Sequence, residues 1–339
     1  MSKPLRIVAR VHAMPPHHNA GAEHMLVGIL RPLVGRGHNV EVWLSQHGLA
    51  SEAYNYQGIR VIPLAARLDF SAAARSADVL LSHLECVPST ASLARGFGRP
   101  MVVVCHNDHR PTLRDMAAAG TSLAVFNSQW MQAESELFFA EYPTSVRPAR
   151  QLVVRPPVLA DEYRTKPGKA VTLINCSPEK GSLVLADLAR RMPDQQFLAV
   201  RGAYGEQDLP DLPNVETVDH VDGQQMPERV YSRTRVLLMP SAYESWGRVG
   251  VEAMASDIPV IAHPTRGLCE SLGEAGIFAD RNDIDGWQAV LERLLTDPVE
   301  YRLAAKRARA RSAELDPTSD LDAWCDAVEE VADARAAQR

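Results

Sequence analysis

The chain has 339 residues, a formal net charge of −6, and 46% hydrophobic against 23% charged residues. That length exceeds one typical core and suits two domains of roughly 150 residues each, and the composition is that of a globular enzyme. The acidic balance argues against a partner held mainly through a phosphate backbone, and no apolar run reaches the roughly 18 residues a membrane span needs.

The amino terminus, MSKPLRIVARVH, enters a strand pattern directly and shows no signal peptide. Strands are predicted over 5–11, 40–44, 79–82, 101–105, 124–127 and 152–154. Between them, 22–35 and 128–140 carry apolar residues at helical spacing, the second opened by Ser128 as N-cap. Near-continuous apolar strands separated by helices make a parallel sheet covered on both faces. Arg155-Pro156-Pro157 breaks the pattern, and the polar stretch to Lys169 reads as a linker. A second series follows, with strands at 171–175, 197–201, 236–239, 258–262 and 276–278. The predicted architecture is α/β, with two Rossmann-like doubly wound domains, 1–155 and 156–316, facing each other across a cleft. A helix over 318–337, with Leu321, Trp324, Cys325 and Val328 on one side, makes the terminal segment 317–339, expected to return to the first domain. Five scattered cysteines (Cys86, Cys105, Cys176, Cys269, Cys325) lack Cys-x-x-Cys spacing and fit reduced thiols in a cytoplasm. Attachment to a membrane surface through the helix at 25–33 is left open, although a packed helix is the plainer reading.

Ligands of such folds sit at the carboxyl ends of strands, and several motifs fall there. Asn19-Ala20-Gly21-Ala22-Glu23 links the first strand to the first helix. Gly21 permits close approach of a ligand, and Glu23 is equally suited to cap the helix. His106 ends the buried run 101–105. Its neighbours Asp108 and His109, and His12, His17 and His18 further back, read as solvated loop residues rather than metal ligands. Asn175 to Gly181 follows the first strand of the second series and holds Lys180, a cation able to neutralise a diphosphate.

The richest segment is 240–264, PSAYESWGRVGVEAMASDIPVIAHP. It reads as a strand end, a loop with Glu244 and Ser245, and a helix with Glu252, opened by Trp246-Gly247-Arg248. Helix-terminal amides favour an anion, and a carboxylate accepts hydrogen bonds from adjacent sugar hydroxyls. Thr265 to Glu270 adds a glycine turn, with Gly267 and Leu268 offering amides and Glu270 orienting the loop. Asp283 and Asp285 begin a later helix as caps. The run Lys306 to Arg311 scatters its cations around a helix axis and reads as a solvated face.

Pro240-Ser241, Glu244, Gly247, Glu252-Ala253 and Pro259-Val260-Ile261 together resemble the signature of family 4 retaining glycosyltransferases of the GT-B fold, with their Glu-x7-Glu pair. The resemblance implies that Glu244 meets the donor sugar, Glu252 the nucleotide ribose, and the amides near Ser245, Trp246, Gly247 and Arg248 the donor. It implies His106 at the reaction centre, Lys180 on the diphosphate, and a turn at Gly267 and Leu268 bordering the donor. Where the family has an arginine sharing the diphosphate, this chain has Asn175, so Arg248, or otherwise Arg201, is the expected substitute. Gly21 lies in the family's Gly-Gly-x-Glu loop, with Ala20 replacing one glycine.

The implied reaction moves a sugar from a nucleoside-diphosphate sugar to an acceptor the sequence does not identify: sugar, lipid, small metabolite, protein or modified nucleic acid. No cofactor and no metal are expected. Epimerisation or hydrolysis of a sugar nucleotide on the same fold, and non-catalytic binding of one, are the alternatives. A nicotinamide dehydrogenase is disfavoured, because no Gly-x-Gly-x-x-Gly follows the first strand.

Overall fold

The computed structural model describes residues 3–336 except 19, 47–49, 204, 209 and 210. The chain forms two compact units, Met1–Pro157 with Pro317–Arg339, and Val158–Asp316.

The first unit runs β1 (Arg6–Val11), α1 (Gly21–Gly35), β2 (Asn39–Leu44), β3 (Tyr54–Tyr56), β4 (Ile59–Ile62), α2 (Phe70–Ser76), β5 (Val79–His83), α3 (Val87–Phe97), β6 (Met101–Cys105), α4 (Arg110–Ala118), β7 (Leu123–Phe126), α5 (Gln129–Ala140) and β8 (Gln151–Val153). Its sheet has the order β3-β4-β2-β1-β5-β6-β7-β8. All pairings are parallel except the β3–β4 hairpin. Gln57 and Gly58 turn that hairpin with φ of 52° and 84°, left-handed backbone that suits a tight connection. The hairpin went unread in the sequence because its strands are short and half polar. The sheet's apolar strands are buried on both faces, as the runs of Val, Leu and Ala dictate.

The second unit runs α6 (Ala160–Tyr163), β9 (Ala170–Ile174), α7 (Ser182–Arg191), β10 (Phe197–Val200), β11 (Val215–Val218), α8 (Met226–Arg229), β12 (Thr234–Met239), α9 (Arg248–Ala255), β13 (Val260–Ala262), α10 (Arg266–Leu272), β14 (Ile277–Phe278), α11 (Ile284–Thr296) and α12 (Pro298–Glu314). Its sheet, β11-β10-β9-β12-β13-β14, is wholly parallel. The supposed linker before Lys169 is not loose chain. Val158 and Tyr163 are both only 5% exposed and belong to this unit's core. Arg309 pairs with Asp257, and Arg311 donates to the carbonyls of Ser271 and Glu270. Part of the basic run on α12 is therefore spent on packing rather than on solvent.

A final helix, α13 (Thr318–Ala336), belongs to the first unit and lies against α1. Trp324 is fully buried there, and its Nε1–H donates to the Ile29 carbonyl at 2.7 Å. Arg155 grips Asp320 through two nitrogens, at 2.6 and 3.1 Å. Truncating such an indole to alanine typically costs about 3–5 kcal/mol, so α13 is an integral layer of its domain. Helix α1 packs into its domain through Met25, Leu26, Ile29, Leu30 and Leu33, which are buried. Among the described residues no helix is long and apolar enough to cross a membrane.

Candidate active site

Each sheet reverses its strand order once around its first strand, β1 in the first unit and β9 in the second. The crevice at such a reversal, beyond the strands' carboxyl ends, is where this architecture binds ligands.

In the second unit the reversal falls between β9 and β12, and Lys180 and Glu244 meet there. Lys180 Nζ lies 2.6 Å from Glu244 Oε1. The Ser241 hydroxyl donates to that same oxygen at 2.9 Å. Oε2 has no partner among the described residues, which leaves half of the carboxylate for a ligand's hydroxyls. The loops carrying these groups are knitted at the backbone, the Ala242 N–H donating to the Glu179 carbonyl at 2.8 Å. Glycines set the spacing. Gly181 has φ of 94°, and a Cβ on it would lie 2.2 Å from Pro240. A Cβ on Gly267 would lie 2.2 Å from the Glu244 carbonyl, so the turn before α10 rests directly on the Glu244 loop. Gly247, with φ of 85°, turns that loop into α9 above Leu268, and Arg248 follows as the first helical residue.

Glu252 is 3% exposed and is not on the solvated face. Its Oε1 is 2.6 Å from Arg248 NH1, one helical turn earlier, and its Oε2 accepts from the Tyr231 hydroxyl at 2.6 Å. Burial raises the Glu252 carboxyl above its usual range, opposed by Arg248 and the Tyr231 hydrogen bond. Arg248 also donates to the Tyr163 hydroxyl at 2.7 Å, and burial pushes Tyr163 up to about 12. The guanidinium expected to replace the missing diphosphate arginine is thus held in an internal network.

Other expected residues are placed as follows. Asn175 is no half of a cation clamp: its φ is 68° and its Oδ1 accepts from the Ser177 N–H at 3.2 Å, so it shapes the turn after β9. Leu268 does not offer its amide, which donates to the Thr265 side chain at 3.2 Å as a helix cap; its side chain packs beneath Gly247 instead. Arg201 is paired with Asp219 at 3.4 Å. Trp246 is 2% exposed, and its indole Nε1 has no hydrogen-bond partner among the described residues. Asp283 caps α11 as expected, accepting from the Gly286 N–H.

In the first unit the reversal falls between β1 and β5. His12 directly follows β1, His83 ends β5, and His106 directly follows β6. His83 Nδ1 and His106 Nε2 are 2.8 Å apart, and His83 stacks on His12 with ring centroids 5.3 Å apart. Burial lowers His106 to about 4, the nearby His12 adding to this and Glu23 opposing it. Burial likewise holds His83 well below the usual imidazole range. Burial thus favours the neutral form of both rings, and one of the two facing nitrogens donates to the other.

Gly21 opens α1, and a Cβ on it would meet nothing within 4 Å. Asn19 of the same motif lies outside the described residues. Glu23 does cap the helix, accepting from the Ala20 N–H at 3.2 Å, and it also binds two histidines. His12 Nε2 is 2.9 Å and His18 Nδ1 3.4 Å from its oxygens. These two imidazoles are therefore not solvated loop residues, whereas His17 is exposed. His83 was missed by the sequence reading, although it ends an apolar strand just as His106 does. Tyr231 and Tyr163, far from Glu252 and Arg248 in sequence, carried no such signal.

Both units have the doubly wound parallel architecture of the GT-B glycosyltransferases. Residues 169–311, most of the second unit, match the family model Glycosyl transferases group 1. Over 100 residues the chain is 30% identical to the O-antigen chain mannosyltransferase B of Escherichia coli, covering 30% of this chain and 26% of that protein. Over 179 residues it is 29% identical to a glycogen synthase of Mycobacterium tuberculosis, covering 49% and 42%. A D-inositol 3-phosphate glycosyltransferase of Rhodococcus opacus is 38% identical over 96 residues, covering 26% and 21%. These matches span about a fifth to two-fifths of the relatives' lengths. The fold is similar to that of HepE from Anabaena, solved in complex with UDP-glucose, with a TM-score of 0.78 at 19% identity over 96% of this chain and 100% of that one. Sucrose-phosphate synthase from Thermosynechococcus elongatus gives a TM-score of 0.73 at 16% identity, over 98% and 100%.

Proposed function

We propose that the chain is a family 4 retaining glycosyltransferase that moves a sugar from a nucleoside-diphosphate donor to an acceptor. The observation that carries this is the Lys180–Glu244–Ser241 cluster at the strand reversal of the second unit, with one carboxylate oxygen left for a ligand. Lys180 turns from Glu244 to the diphosphate, and Glu244 takes donor-sugar hydroxyls. Arg248 and Glu252 act together. When Arg248 swings to the diphosphate it releases Oε1 of Glu252, which then accepts from the ribose. One side-chain exchange thereby supplies the second cation that Asn175 does not.

The bond between the anomeric carbon and the diphosphate breaks as the acceptor oxygen bonds to that carbon from the same face. The departing phosphate oxygen takes the acceptor's proton. Lys180, Arg248 and the amino end of α9 stabilise the leaving charge, so no metal ion is required at the diphosphate. His106, neutral at working pH, positions the sugar by hydrogen bonding.

The test incubates the protein with a panel of nucleoside-diphosphate sugars and candidate acceptors. Diphosphate release and the anomeric configuration of the product, by proton NMR, are followed. One donor should be consumed with retention. Inversion, or epimerisation of the donor without transfer, rejects the reading.

A further inference from the structure

His12, His18 and Glu23 are set on one connection, the end of β1 through the first turn of α1, and their ligating atoms all lie within 4.8 Å of one another. We propose that they form a binding site for a divalent transition-metal ion. Each oxygen of the Glu23 carboxylate faces a different imidazole, at 2.9 and 3.4 Å. Ligands held at about 2.0–2.1 Å around a tetrahedral ion are separated by roughly 3.4 Å, so an ion fits among these groups with small adjustments. Imidazole and carboxylate donors suit Zn2+, and by the same chemistry Co2+, rather than Mg2+ or Ca2+.

The surroundings are those of a built site. The Glu23 side chain is 2% exposed and its orientation is fixed by the Ala20 N–H. The second nitrogen of His12, Nδ1, has no hydrogen-bond partner but lies 3.8 Å from the Glu85 carboxylate, which would hold the ring of a metal-bound histidine. His83, stacked on His12, is fully buried, and its Nε2 is also without a hydrogen-bond partner. Three protein ligands leave a position open, the arrangement of a site whose ion also takes water or a ligand's oxygen. The site belongs to the first unit alone and does not depend on the transfer reading.

The experiment uses full-length protein without an affinity tag, freed of metal by a chelator. Zn2+ is titrated by calorimetry and Co2+ by visible absorption, with thermal melts of each metal-free variant as a folding control. The expected result is one ion per chain, with Co2+ giving the visible bands of a low-coordinate nitrogen–oxygen site. Zn2+ should bind at least tenfold more weakly in His18→Ala and at least 100-fold more weakly in His12→Ala, while His17→Ala, a neighbouring exposed histidine, binds as wild type. Because Glu23 also caps α1, Glu23→Gln, which keeps an acceptor for the Ala20 N–H, is read only beside its melt. The proposal is overturned by absence of saturable binding in the wild type, or by unchanged affinity in correctly folded His12→Ala and His18→Ala.

Discussion

The two units place polar side chains at the same point of the same topology, yet with opposite chemistry. The second unit brings a lysine and a carboxylate together at the strand reversal and walls them with glycines. The first unit brings three histidines to the ends of three neighbouring strands and adds one buried carboxylate. Permanent charge suits a diphosphate, whose own charge does not change during binding. Imidazoles suit proton sharing and metal binding. The same scaffold therefore offers two different kinds of site, and substitutions should separate them.

The largest expected effect lies in the second unit. Lys180→Ala or Glu244→Ala should lower kcat/KM for donor turnover by about 100–1,000-fold, the range found when a stabilising group is removed from a developing charge. Steady-state assays of nucleoside diphosphate release check this, and melting points should stay close to wild type. Next come the glycines. Gly267→Ala drives a Cβ into the Glu244 carbonyl and should destabilise the fold by several kcal/mol, on the order of overpacking plus backbone displacement. Gly21→Ala, in open space at a helix start, should change stability by less than about 0.5 kcal/mol. Urea melts of the two variants compare the units directly.

Acid should act on the first unit. His106 titrates near 4 when folded and near 6.5 when unfolded. Protons therefore bind the unfolded chain first, and the stability from this group, full above about pH 6.5, is lost as pH falls toward 4. About 2 kcal/mol should be gone at pH 5 by this linkage, and His106→Asn should show a smaller loss between pH 7 and pH 5 in denaturant melts. Tyr231→Phe in the second unit should act on stability to a similar degree. It leaves Oε2 of buried Glu252 without its donor, costing about 1–3 kcal/mol of stability where the group stays ionised. If Glu252 serves the ribose, donor affinity should change as well; an unchanged KM would confine Tyr231 to the fold.

Much of this was legible in the sequence, for physical reasons. Buried parallel strands are nearly continuous in apolar residues, so runs such as 101–105 and 236–239 announced both sheets, and the break at Arg155 to Pro157 announced the second series. Glu244 and Lys180 were marked by strand ends followed by glycine. What the sequence hid were partners distant along the chain and close in space. Tyr231 on Glu252, Tyr163 on Arg248 and His83 on His106 depend on tertiary packing that no local period encodes. Leu268 misled for a different reason: it sits at a helix start where its backbone N–H finds a partner nearby, and only the coordinates show which one. His12 and His18 were taken for solvent-facing residues because loops usually are. The carboxylate that gathers them lies in the next helix.

The most direct test of the central claim, that the strand reversal of the second unit is a nucleoside-diphosphate site, is calorimetric titration with UDP, GDP, ADP and TDP. One of these should bind the wild type at a single site, at least tenfold more weakly to Lys180→Ala and with unchanged affinity to His12→Ala. Binding of none of them, or equal affinity in wild type and Lys180→Ala, would contradict it.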